Sequence, residues 1–182
     1  MRKAQLLGRG LVVPVALFVI LALLAILGPS PSAYADDDEV RLRARLRGFE
    51  ETPAVSTAAS GRFRGEITGG GTVIDFELSY SGLEANALFA HIHFGQRGVA
   101  GGVSAFFCGG GSKPAACPAR SGTVTGTIVA ADVIGPTGQG IAAGEFAELV
   151  RAIRAGVTYA NVHSTMFPSG EIRGQIKAHD DD

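Results

Sequence analysis

Hydrophobic and polar residues alternate with period two along most of this chain. The sharpest case is "VRLRARLR" at 40–47, where Val40, Leu42, Ala44 and Leu46 interleave with four arginines. That pattern predicts a half-buried strand with one solvated face. The arginine side offers a stripe for an acidic partner, or simply keeps a sheet face soluble. "GRFRGEI" (61–67) and "TVIDFELSY" (72–80) flank a glycine turn, which predicts a hairpin. Further strands are expected at 87–94, 103–107, 122–130, 159–163 and 170–176. One stretch switches period. In "GEFAELVRAIRAG" (144–156), Phe146, Leu149, Val150 and Ile153 fall at i, i+3, i+4 and i+7, which predicts an amphipathic helix stopped by Gly156. Many short strands with glycine turns and one short helix predict a mainly β fold. The expected form is an antiparallel β-sandwich or flattened Greek-key barrel.

The N-terminus departs from both periods. Arg2, Lys3 and Arg9 precede an unbroken apolar run at 11–28, and Ala33-Tyr34-Ala35 precedes the first acid, Asp36. A basic start, an apolar run and a small-residue site describe a secretory signal peptide over 1–35. The alternative is an uncleaved anchor, since the run is nearly long enough to span a bilayer. Cleavage before Asp36 leaves one domain, 36–182, with no stable membrane span, secreted or otherwise extracytoplasmic, at the cell surface or in a periplasm. Removing 1–35 takes away three of 16 basic residues and none of the 17 acids, so 147 residues remain with a net charge of −4. A mildly acidic protein argues against nucleic acid as a partner. The acids at 36–39 and 180–182 read as solvated tails.

The two cysteines, Cys108 and Cys117, enclose a Gly- and Pro-rich loop. In an exported chain that spacing suggests a disulfide, with a two-thiolate metal site as the alternative.

Several motifs in order resemble the CHRD domain, the module first named from chordin. They are "EETPAVSTAASG" (50–61), "FAHIHFGQRGVAGG" (89–102), "LVRAIRAG" (149–156), "YANVHS" (159–164) and "GEIRGQI" (170–176). Related domains often carry a second proline where this chain has "TPAV". The likeness runs from about Leu42 to Ile176 and implies an extracytoplasmic β-rich domain. Chordin's cysteine-rich growth-factor modules are missing here, so growth-factor antagonism does not carry over. The resemblance implies a binding or structural module, its partner an unidentified extracellular protein or small ligand.

The candidate chemistry is histidine. Alternate residues on a strand share a face about 6.6 Å apart. His91 and His93 therefore point together with Phe89, away from Ala90, Ile92 and Phe94. His163 closes "YANVH" on the face of Asn161 and Tyr159, and His179 lies in the acidic tail. If the two strands are neighbours, His91, His93 and His163 converge on one wall of a polar pocket. They could then hold copper or zinc, with Asn161, Glu171 and Arg173 behind them or with the last two bridged as an ion pair. The plainer reading is that these imidazoles brace loops by hydrogen bonding to backbone. An acid–base role is the third reading, and no nucleophile motif accompanies it. An H-x-H strand near a disulfide is also similar to copper–zinc superoxide dismutase, but three plausible ligands fall short of that enzyme's two-metal set.

Overall fold

The computed structural model describes residues 39–180. The expected signal peptide over 1–35 lies outside them.

Nine strands form: β1 Val40–Arg47, β2 Ser60–Thr68, β3 Val73–Ser81, β4 Ala87–Phe94, β5 Gly102–Cys108, β6 Gly122–Ile128, β7 Thr158–Ser164, β8 Ile172–Gln175 and β9 Lys177–Asp180. One helix, α1, spans Phe146–Arg154. All pairings are antiparallel, in the order β5-β4-β7-β8-β1-β2-β3-β6, with β9 continuing on β1. The end strands β5 and β6 approach without a ladder between them. The sheet is thus a nearly closed barrel, the second of the two forms expected from the pattern.

The period-two residues fill it. Leu42 and Leu46 of β1, Phe63 and Ile67 of β2, Leu78 of β3, Ile92 of β4 and Ile172 of β8 are buried in one core. Phe107 packs against Phe63 and Phe76 at ring separations of 5.2 and 4.9 Å. Helix α1 adds Phe146, Leu149, Ala152 and Ile153 to the same core, and Gly156 takes φ +69° just beyond it. Only glycine adopts that backbone readily.

Two expectations change. His179 and Asp180, expected in the solvated tail, belong instead to strand β9, with His179 opposite Arg41 and Lys177 opposite Arg43, while 36–38, 181 and 182 lie outside the described residues. The strand's signal was masked by charge: only Ala178 is apolar among "KAHD". The second change concerns the histidines and is taken up below. Cys108 and Cys117 form the disulfide. Lys113 inside that loop sits 2.9 Å from the Asp132 carboxylate, which also accepts from Ser112 and from the Val129 N–H. Burial pushes Asp132 up, but those three donors together hold it below the usual carboxylate range.

Candidate functional site

Strand β4 is buried on both faces. Ala90 and Ile92 point into the barrel, whereas His91 and His93 point out of it and are still only 2% and 8% exposed. Loops cover this outer face. His91 lies opposite Phe106 of β5 on one side and Asn161 of β7 on the other, and Asn161 in turn lies opposite Arg173 of β8. His93 lies opposite Tyr159, and Phe89 opposite His163. The β4–β5 register slips beside each histidine, between Ala90 and His91 and between Ile92 and His93. Such bulges re-aim side chains. Phe107 enters the core while its neighbour Phe106 joins the outer layer against His91.

The three rings pack together, with centroids 4.4 Å apart for His91 and His93, 4.5 Å for His91 and His163, and 6.0 Å for His93 and His163. Aromatic walls surround them. Phe89 lies 4.7 Å from His163, Phe106 meets His91 edge-on at 5.0 Å, and Tyr159 stacks on His93 at 4.6 Å.

Two hydrogen bonds fix the tautomers. His93 Nδ1 lies 2.8 Å from the Gly101 carbonyl and His163 Nδ1 lies 3.0 Å from the Pro168 carbonyl. A carbonyl only accepts, so each Nδ1 carries the proton. Burial lowers His91 to about 2, reinforced by the two neighbouring histidines. Burial lowers His93 to about 4 against the opposing pull of the Gly101 carbonyl, and it lowers His163 to about 4 against that of Pro168. All three are therefore neutral near pH 7. The Nε2 atoms of His93 and His163 are bare lone pairs, and both are buried with no hydrogen-bond partner, as is His91 Nδ1. One ring nitrogen from each residue lies within 4.8 Å of the others. A shared tetrahedral ion requires about 3–4 Å, since each nitrogen sits about 2 Å from the metal.

The three candidate supporting residues divide. Asn161 Nδ2 donates to Glu51 Oε1 at 2.7 Å and to the Ile172 carbonyl at 2.9 Å. Arg173 lies 3.4 Å over the Tyr159 ring and donates to the Gln96 carbonyl at 2.9 Å. Both tie the histidine sheet to covering loops. Glu171 turns elsewhere: its Oε1 accepts from Thr57 Oγ1 at 3.0 Å and from the Glu84 N–H at 2.8 Å. No Glu171–Arg173 ion pair forms among the described residues. Glu171 stands just before β8, where Thr57 and the Glu84 N–H meet it.

Glu51 was not singled out from the sequence, although it lies within "EETPAV". Burial raises its pKa to about 7, against the stabilising Asn161 hydrogen bond and the Arg173 charge. Gly170, at φ +129°, backs onto this carboxylate; a Cβ there would stand 2.7 Å from Glu51 Oε1. Where a polar pocket was expected, His91, His93 and His163 are only 2%, 8% and 5% exposed. Three grooves on the outer face of β1, β2 and β3 are lined by no histidine. The cluster is closed over by the loop ending at Gly101, whose N–H donates to Tyr159 Oη at 3.1 Å.

Fold and cluster together define an antiparallel β-barrel domain with three neutral histidines roofed against its outer wall. The chain matches the model of the CHRD domain over residues 42–176, and it belongs to that family. No curated protein and no solved structure matches it.

Proposed function

We propose that this protein is an extracytoplasmic CHRD-type binding module whose ligand at the histidine cluster is one copper or zinc ion, held by His91, His93 and His163. The observation that carries the reading is the set of three buried, partnerless ring nitrogens on three histidines that pack together, each offering one nitrogen within 4.8 Å of the others. Each buried polar atom without a partner costs about 1–3 kcal/mol, and an ion held by all three would offset that cost. Neutral imidazoles without a thiolate among them suit copper and zinc. The carbonyls of Gly101 and Pro168 supply the outer hydrogen bonds that orient such ligands. Export is supported by the disulfide, and no helix among the described residues is long and apolar enough to cross a membrane.

The same two hydrogen bonds also support the loop-bracing reading, so the test must separate them. In protein purified without a polyhistidine tag, copper or zinc should raise the melting temperature. His93→Ala should abolish that rise. A rise undiminished in His93→Ala, or none in wild type, would leave the histidines as loop braces.

A further inference from the structure

The outer face of β1 and β2 carries a groove of about 680 Å³. Arg43, Arg45 and Arg47 line it from β1, and Arg62 and Arg64 from β2. Arg97 and Lys177 extend it, and Glu50 is its one acidic residue. The register sets Arg43 opposite Arg64 and Arg45 opposite Arg62, with Lys177 flanking Arg43 from β9. Like charges placed directly opposite destabilise a sheet. Glu50 is taken by Arg97. Among the described residues, no carboxylate lies at ion-pair distance from the five strand arginines named here. Glu77 of β3 stands opposite Arg64, but Arg43, Arg45, Arg47 and Arg62 have no acid opposite them on β2 or β3, so positive charge is concentrated in a concave site on a chain whose formal net charge is −1.

A second groove of about 580 Å³ shares Arg45, Arg47 and Arg62 and continues across Ser60, Ser79, Ser81 and Thr123. The whole tract is therefore guanidinium-lined at one end and hydroxyl-lined at the other. We propose that it binds an acidic polysaccharide. Uronate carboxylates would take the paired arginines, whose planar forks match a carboxylate with two hydrogen bonds. Sugar hydroxyls would take the serine and threonine row. An acidic peptide fits less well, because β1 and β2 are paired on both sides and offer no free edge for strand addition. Single-stranded nucleic acid binds through exposed aromatic rings. The aromatics at this tract, Phe63 and Tyr80, are buried.

The test is calorimetric titration of the full chain with polygalacturonate oligomers, neutral dextran, polyglutamate and a single-stranded DNA oligonucleotide. Polygalacturonate should bind at about 50 mM salt and weaken at least about tenfold by about 500 mM, as counterions compete. Dextran should not bind. The double variant R45E/R62E should lose at least about tenfold in affinity, while Arg154→Glu on α1 should behave as wild type. If the double variant fails to fold, Arg47→Ser and Arg64→Ser replace it, each expected to weaken binding about threefold. Absence of polygalacturonate binding, or equal binding by the arginine variants, overturns the proposal. Tighter binding of polyglutamate or DNA than of polygalacturonate overturns it in favour of those partners.

Discussion

Strands β1 and β4 obey the same period, yet their outer faces differ in kind. On β1 the outward residues are all exposed and all arginine. On β4 the outward residues His91 and His93 are as hidden as the core. The difference lies in the covering segments. Those before β2, before β5 and before β8 fold over β4, β7 and β8, held by Glu51, Gly101 and Pro168. Among the described residues, nothing comparable covers the arginine face. Alternation along a strand reports which side faces the barrel. Whether the other side meets water is decided by segments far away in sequence. Imidazole tolerates such covering because it gives up its proton; guanidinium keeps its charge, and the one covered here, Arg173, is stacked on Tyr159 and bonded to the Gln96 carbonyl, whereas the β1 arginines stay at the open surface.

The contrast should be largest in acid. Near pH 7 the three histidines are neutral in folded and unfolded chain alike. Below pH 6.5 the unfolded chain binds protons there and the folded chain does not, down to about 4 for His93 and His163 and about 2 for His91. Stability falls as pH falls through that window. Glu51 acts oppositely: with its folded pKa raised to about 7, it favours the folded state as pH drops from about 7 to 4.5. The net grows from under one proton at pH 6.5 to about two by pH 5.5, or roughly 3 kcal/mol lost per pH unit between 5.5 and 4.5 in metal-free protein. Denaturant unfolding with chelator present measures it. A flat profile would mean that the cluster is open to water like the arginine face.

Next in size is the roof. A Cβ at Gly101 would stand 1.8 Å from the Phe94 carbonyl oxygen, a backbone clash with no flexible neighbour to yield. Gly101→Ala should cost about 3 kcal/mol and free the His93 ring from its carbonyl. Chemical unfolding gives the first, and the imidazole NMR shifts give the second. Loss of less than about 1 kcal/mol would show that the roof is loosely held.

Glu51→Gln sharpens the comparison further. It keeps an oxygen to accept from Asn161 and removes the buried charge. Stability at pH 8 should rise by about 2 kcal/mol, and the acid slope should steepen from two protons toward three. An unchanged slope would place Glu51 in solvent.

The smallest effect belongs to the open face. Arg62→Ser relieves the repulsion against Arg45 and should stabilise by no more than about 0.5 kcal/mol, with the gain vanishing in high salt. A loss above about 1 kcal/mol would mean that Arg62 has a structural role its exposure hides.

The histidine face was legible in part. Period two placed His91 with His93 and His163 with Asn161, because side-chain direction on a strand is local. The barrel core was legible for the same reason. Three things were not. Strand β9 has too few apolar residues to announce itself, and it forms because β1 offers its edge. Glu51 is an ordinary surface carboxylate by composition; its burial comes from Asn161, Arg173 and Gly170, between 110 and 122 residues further on. The closed roof is likewise a property of loops, so a pocket was expected where the chain built a lid.

The most direct measurement is X-ray absorption at the metal edge of untagged protein loaded with one equivalent of zinc or copper. The account predicts a first shell containing three imidazole nitrogens at about 2.0–2.1 Å, with one imidazole lost in each of His91→Ala, His93→Ala and His163→Ala. An oxygen-dominated shell, or variant spectra unchanged from that of wild type, would contradict it.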